Sequence, residues 1–452
     1  MVKQDSINNR VFNEEISNGK KIILALQHLL VMCPGTIAVP LILASAMGLD
    51  EKTTAFLVSA NFFTSGIATL IQVVGIGKNI GSKLPIILGS SFAPLAPMIA
   101  IGNNYGLPTV FGSIIASAVI IFILTFFMDK VLKLFPKVVI GSFVTLMGIS
   151  LAPTAIRDIA GGQGSENFGS LENLILGAGV LVAVILMQRY GKGLVNALSL
   201  LIGIVGGTII GSFLGMVDFT SVSEAKLFQL VTPFEFGIPK FEIVPIIIMT
   251  IFCIINIIQC IGVYSVLDEI SGTETVDAQK IKGIRGQSLA QMVSGAFNSV
   301  PSTMFNENIS LLDVTKVKSR SVIIISSVMM ILLGIFPKFS AIIIMIPKSV
   351  LGGVMLVLFG VITSAGISML ASLNFFADNN FTIVGTSLAI GVGANFVPEI
   401  FSQLPSTLNM MLSNGLFMVS ISAILLNILF NGRKGLQKKE MVNEENINAL
   451  EL

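Results

Sequence analysis

A chain of 452 residues is long enough for two or three soluble domains, but 53% hydrophobic residues, 12% charged residues and a mean hydropathy of +0.90 exclude that class. The net charge of +2 says little, because in a membrane protein the placement of positive charge matters more than its sum. Apolar runs of about 17–25 residues, each enough to cross a bilayer as a helix and too long for porin-like strands, recur from Ile22 to Phe430.

The chain is therefore expected to be an all-α polytopic membrane protein. Its first twenty residues are polar, and the first apolar run lacks a small-residue cleavage site, so no removable signal peptide is expected. Fourteen transmembrane elements are predicted, some short or broken: 22–43, 54–75, 84–102, 108–128, 138–156, 172–188, 194–216, 243–265, 287–299, 302–315, 321–336, 350–370, 380–397 and 408–430. Placing both termini in the cytoplasm leaves only Lys52, Arg157, Lys226, Lys240, Lys338 and Lys348 of the 27 basic residues on the outer side, as the positive-inside rule requires. Cys33, Cys253 and Cys260 fall inside apolar runs and read as small hydrophobes rather than disulfide partners. Gly206-Gly207 and Gly352-Gly353 read as points of close helix packing.

In the first span, Gln27 precedes His28, the single histidine, whose neutral ring can donate and accept; a packing hydrogen bond and a transport role are both open for it. The third element, GSKLPIILGSSFAPLAP at 81–97, packs Pro85, Gly89, Ser90, Ser91, Pro94 and Pro97 into an uncharged stretch, which predicts a broken helix. FPKVVIGSF at 135–143 and IPKSVLGGV at 346–354 share Pro-Lys-x-Val-x-Gly and lie 211 residues apart. A repeat unit of seven spans, an odd number, inverts the second copy, and inverted repeats build a binding site near the midplane between paired broken helices.

The eighth span presents Asn256 and Gln259 three residues apart, on one face. Asn256 reads as interhelical glue and Gln259 as a ligand contact, since an amide offers a donor and an acceptor together.

Glu307 is the only charged residue in the stretch from Gly286 to Leu312, GQSLAQMVSGAFNSVPSTMFNENISLL. An acid near the bilayer centre costs roughly 2.5–3.5 kcal/mol on insertion scales, which marks it as functional or paired. Pro301 breaks the helical pattern just before it and leaves Ser302 to Asn306 free to run extended. Irregular backbone at membrane depth survives only when buried in protein or lining a cavity. The tips of the broken elements then expose backbone N–H groups, with Phe92 and Asn306 the expected donors. Gln287, Ser91 and Asn308 are weaker polar candidates, and Arg320 reads as an inside anchor or part of the site. Nothing points to an enzyme, a bound metal, a cofactor or a nucleic acid partner: there is no metal-ligand cluster, phosphate loop or nucleophile with a base at useful spacing.

With these residues in place, the chain resembles the nucleobase-ascorbate transporter family (nucleobase:cation symporter-2), the xanthine and uracil permeases. Gln27-His28 with LLVMCPGTIAVPLI is similar to the first-span motif of its purine members, LPIILGSSF to the third-span motif, and PSTMFNENISLLDVTKVKSR to the tenth-span signature ending at Arg320.

The resemblance implies fourteen elements in two inverted 7-span repeats, with short extended segments in elements 3 and 10. It implies a cytoplasmic tail at 1–21, a core domain at 22–134 (elements 1–4) and 243–337 (elements 8–11), a gate domain at 135–242 (elements 5–7) and 338–431 (elements 12–14), and a second cytoplasmic tail at 432–452. It further implies homodimers in the cytoplasmic membrane that import a nucleobase with a proton or sodium ion. By position, Glu307 matches the tenth-span residue that hydrogen-bonds the base, Phe92 and Asn306 match backbone contacts beside it, and His28 matches a histidine near the purine site. Two positions depart from the pattern: Gln259 and Gln287 stand where the family usually carries a glutamate in span eight and an aspartate in span nine. The first span favours a xanthine-like purine, whereas Asn306-Glu307-Asn308 resembles uracil carriers. A sulfate permease-like anion transporter of similar inverted-repeat fold, and a channel or sensor, are the competing expectations.

Overall fold

The computed structural model describes residues 11–128, 136–162, 164–273 and 275–435. Lys3, Arg10, Lys130, Lys133, Phe135, Lys438 and Lys439, which entered the charge and repeat arguments, lie outside the described residues.

In chain order the helices are α1 (Asn18–Met47), α2 (Glu51–Val74), α3 (Leu95–Tyr105), α4 (Leu107–Leu124), α5 (Lys137–Ile159), α6 (Leu171–Tyr190), α7 (Leu194–Ala197), α8 (Ser199–Phe213), α9 (Thr220–Glu224) and α10 (Ile243–Ser271). Then follow α11 (Asp277–Ala296), α12 (Asn306–Thr315), α13 (Arg320–Ile335), α14 (Pro337–Ile344), α15 (Lys348–Ala371), α16 (Asn380–Phe396), α17 (Ser406–Leu412) and α18 (Gly415–Gly435). Two strands interrupt this series, β1 (Leu88–Ser90) before α3 and β2 (Ser302–Met304) before α12. Among the described residues, 8 helices are long and apolar enough to cross a membrane, or 9 if α13 and α14, bent by 79° at Phe336, form one span. The protein is a multi-pass membrane protein.

The chain divides into two compact units, Met1–Phe126 with Leu151–Val361, and Phe127–Ser150 with Ile362–Leu452. The second unit packs α16 against α18, where Gly391 lets the Leu146 and Val419 side chains and the Gly415 carbonyl come close. The first unit holds both strands and every candidate residue.

Within the first unit, α2 lies along α13 because small residues sit at the crossing. A Cβ on Gly66 would be 2.6 Å from the Ser327 carbonyl, and one on Gly334 would be 2.6 Å from the Ser59 carbonyl. Gly207, Gly352 and Gly353 also sit at tight approaches, against Val180, Ile159 and Gly177 respectively. Gly206 does not: nothing lies within 4 Å of where its Cβ would be. The three cysteines are free and buried.

Three element boundaries differ from expectation. The ninth element, α11, starts at Asp277, not near 287, with Asp277 exposed at its first turn and Arg285 held by protein groups further in. Arg285 donates to Thr125 Oγ1 at 3.0 Å and lays its guanidinium 4.7 Å from the centre of the Phe126 ring. The seventh element is two helices, α7 and α8. The fourteenth is α17 and α18, separated where Asn414 Oδ1 accepts from the Leu416 and Phe417 N–H groups at 3.0 and 3.1 Å and so starts a new helix.

The segment before α1 belongs to the core. Phe12, 1% exposed, packs in a cluster with Leu84, Leu88, Tyr264, Met304, Ile309 and Leu312. Arg320 holds the next residue, donating from Nε to Asn13 Oδ1 at 2.9 Å and from Nη1 to the Lys83 carbonyl at 3.2 Å. This residue thus acts as a tie between the N-terminal segment and the approach to β1. Phe12→Ala is expected to cost about 3–5 kcal/mol through the cavity it leaves, read as a lower melting temperature of the detergent-purified protein.

Candidate functional site: two interrupted elements joined by a strand pair

The two proline-rich interruptions meet. β1 and β2 pair antiparallel with Leu88 opposite Met304, Gly89 opposite Thr303 and Ser90 opposite Ser302. The pairing extends one residue each way, through Ser91 N–H to the Pro301 carbonyl at 2.8 Å and Phe305 N–H to the Ile87 carbonyl at 3.1 Å.

A two-stranded ribbon leaves outer edges that cannot stay unpaired in a membrane, and side chains from neighbouring helices satisfy them. Thr69 Oγ1 donates to the Leu88 carbonyl (3.2 Å) and accepts from the Leu88 N–H (3.0 Å). Asn256 Nδ2 and Gln287 Nε2 each donate to the Ser302 carbonyl at 3.0 Å. Asn256 Oδ1 accepts from Ser91 Oγ at 3.0 Å, so this asparagine is the interhelical glue expected of it.

Gly89 has no side chain because the Phe305 ring fills that space. A Cβ there would be 2.5 Å from Phe305 Cε2 and 2.9 Å from Thr36 Oγ1, while one on Gly35 would be 2.7 Å from Phe305 Cε1. Phe305 is thus slotted between α1 and β1, which fixes the start of the next helix.

That helix is α12. Phe305 is still extended (φ −92°, ψ 114°), no side chain caps the helix, and Asn306, Glu307 and Asn308 form its first turn. Asn306 is exposed, Glu307 partly accessible and Asn308 buried. Among the described residues no other side chain pairs with or bonds the Glu307 carboxylate, which takes a hydrogen bond from its own backbone N–H. It therefore stands beside the positive end of a helix with most of its acceptor capacity open.

The other candidates lie on α1, α10, α11, α12 and the segment after β1, around the strand pair. His28 is buried; Asn308 Nδ2 lies 3.2 Å from its Nδ1 and donates to its carbonyl at 2.8 Å. With Asn308 donating, Nδ1 accepts and the ring proton sits on Nε2. Gln259, partly accessible on α10, precedes Cys260, whose Sγ lies 3.5 Å from Thr303 Oγ1 in β2. Phe92, partly accessible between β1 and α3, meets Phe359 edge-on at 5.8 Å and accepts from the Leu95 N–H at 3.1 Å. Ser91 is buried and committed to Asn256. Four amide atoms in this region are buried without a partner among the described residues: Gln27 Oε1, Gln259 Nε2, Gln287 Oε1 and Asn308 Oδ1.

The structure adds residues that the sequence reading passed over. Asn61 Nδ2 donates to the Thr36 carbonyl at 2.7 Å and to Ser90 Oγ at 2.6 Å; its Oδ1 accepts from Ser299 Oγ at 3.2 Å, and Thr64 donates to Ser299 at 2.7 Å. The available signal was spacing: Asn61, Thr64, Ser65, Thr69 and Gln72 recur every three or four residues along one face of an otherwise apolar α2.

A family model described as "Permease family" (Xan_ur_permease) matches residues 19–400. The "Xanthine permease" of Bacillus subtilis is 42% identical over 413 residues, spanning 91% of this chain and 94% of that one. The "Uric acid permease PucJ" of the same organism is 40% identical over 431 residues, spanning 94% of this chain and 95% of that one. Among solved structures, the transmembrane domain of a cyanobacterial bicarbonate transporter, BicA, has a TM-score of 0.56 at 14% identity, spanning 92% of this chain and 100% of that one. SLC26A9 has a TM-score of 0.62 at 14% identity, spanning 92% of this chain and 66% of that one. At such identity these two share the fold alone. The named sequence relatives are permeases rather than enzymes, and the chain belongs to the xanthine/uracil permease family.

Proposed function

We propose that this protein imports a nucleobase, a xanthine-like purine in preference to uracil, across the cytoplasmic membrane together with a proton or sodium ion. The observation that carries this is the Glu307 carboxylate in the first turn of α12, directly after the β1–β2 pair, with no other side chain bonded to it among the described residues. A flat heterocycle with alternating N–H and C=O groups suits such a place. Glu307 and Gln259 bind the ring edge, and backbone N–H groups at Phe92 and Asn306 bind its oxygens. His28 and Asn308 close the α1 side, and Ser91 supports the Phe92 tip.

Glu307 also serves coupling, because Gln259 and Gln287 are amides and do not titrate in the working range. Gln287 and His28 assist by holding Ser302 and Asn308. Two inverted repeats of seven elements build the site, and transport follows from movement of the core domain, 22–134 and 243–337, against the gate domain, 135–242 and 338–431, in a homodimer with both termini in the cytoplasm. The relatives named for xanthine and uric acid support a purine over uracil.

An anion transporter is the competing reading, since the structural neighbours include a bicarbonate transporter and an anion transporter. A carboxylate at the tip repels an anion where a half-helix alone would attract one, which disfavours it. Uptake of labelled xanthine, uric acid, uracil and sulfate into vesicles, with inward proton or sodium gradients, separates the two. Gradient-dependent purine accumulation is expected; accumulation of sulfate without purine overturns the proposal.

A further inference from the structure

Two asparagines from different helices bond the third element to the second strand and to the connection that leads into it. Asn256 on α10 takes Ser91 Oγ with its Oδ1 and the Ser302 carbonyl with its Nδ2, both at 3.0 Å. Asn61 on α2 takes Ser90 Oγ with its Nδ2 at 2.6 Å and Ser299 Oγ with its Oδ1 at 3.2 Å. Ser90 and Ser91 end the first strand; Ser299 and Ser302 flank Pro301 at the start of the second. Asn256 thus uses one end on each interrupted element, while Asn61 ties the first strand to Ser299 in the connection from α11 to β2 and adds the Thr36 carbonyl of α1 at 2.7 Å. Both side chains are fully enclosed, at 1% exposure or less.

We propose that Asn61 and Asn256 are positioning residues for the transported base. They act as paired staples that hold the Phe92 end of the first strand against the segment from Ser299 to Ser302, from which the second strand runs on to the Asn306–Glu307 tip. The backbone pairing is short, and the Phe92 and Asn306–Glu307 tips leave it at opposite ends, so side-chain bonds at Ser90, Ser91 and Ser302 fix where the second strand starts relative to the Phe92 tip. Asparagine suits the task because one rigid amide carries a donor and an acceptor pointing apart. Serine or threonine would span less, and aspartate would lose the donor. A staple of this kind keeps the site's geometry constant while the elements carrying it move as a body.

The inference rests on the proposed base-binding site, so its test includes a control for that reading. Labelled xanthine uptake and thermal unfolding are measured in membranes for Asn256→Ala, Asn256→Asp, Asn61→Asp, the Asn61→Asp/Asn256→Asp pair and Glu307→Gln. Asn256→Asp keeps the bond from Ser91 and loses the one to Ser302; Asn61→Asp keeps the bond from Ser299 and loses those to Ser90 and Thr36. Each single variant is expected to raise KM about tenfold, the size of one misdirected hydrogen bond, with the maximal rate per folded protein held within about threefold. The double variant is expected to add less than the product of the two, because both act on the same end of the strand pair. Unchanged KM in folded single variants, while Glu307→Gln is inactive, overturns the staple and leaves the site standing. Activity lost only in proportion to folded protein shows a structural role and also overturns it. Normal uptake by Glu307→Gln overturns the site itself.

Discussion

Glu307→Gln is expected to reduce labelled purine uptake by about 100-fold or more while leaving the amount of protein in the membrane unchanged. Glutamine matches the shape of glutamate and retains one acceptor, so packing at the α12 tip is preserved. The substitution removes a negative charge, and charge-assisted bonds are roughly twice as strong as neutral ones. It also removes the one carboxylate that the proposed coupling uses. Insertion improves if anything, since a buried carboxylate is the costly state. Uptake normalised to immunoblotted membrane protein checks this, and near-normal uptake counts against the assigned site.

Gly89→Ala is expected to cost roughly 1–3 kcal/mol in stability and to lower uptake at least tenfold. The added methyl group would sit 2.5 Å from Phe305 Cε2 and 2.9 Å from Thr36 Oγ1. The ring has no room to retreat, since Gly35 already approaches its other edge. β1 cannot step back either, because Leu88 is pinned by Thr69 and its pairing to Met304 is fixed. The strain therefore passes to Phe305 and to the start of α12, two residues before Glu307. Phe305→Leu, which removes the ring edge, is expected to recover much of the loss when combined with Gly89→Ala. Thermal unfolding and uptake on the single and double variants measure both effects; an unaffected single variant would show that the slot is looser than the geometry describes.

The centre of this molecule was legible in the residues because it breaks the rules of its surroundings. A lone acid in an apolar stretch, prolines at corresponding places in two halves, and a pair of amides on one helix face each stand out against a hydrophobic background. They predicted extended backbone after Pro301 and a broken helix around Ser90, and the family resemblance implied extended segments in both; the two strands lie at these places. What stayed hidden depends on partners distant in sequence. Asn61 reads as one more polar residue in α2 until Ser90 and Ser299 are placed beside it. The early start of the ninth helix was missed for a related reason. Lys280, Lys282 and Arg285 look like a solvated loop in a hydropathy window, whereas Arg285 is satisfied by Thr125 and Phe126. Phe12 is the same case at the chain's beginning: scattered apolar residues in a polar tail give no periodicity, yet Phe12 packs in one cluster with Leu84 and Leu312.

The most direct measurement is an electron cryo-microscopy map of the protein with xanthine or uric acid bound. The account predicts density for a planar base alongside the β1–β2 pair, within hydrogen-bond distance of the Glu307 carboxylate and the Gln259 amide, with its oxygens facing the backbone at Phe92 and Asn306. Base density elsewhere, or a Glu307 side chain turned away from it, would contradict the account.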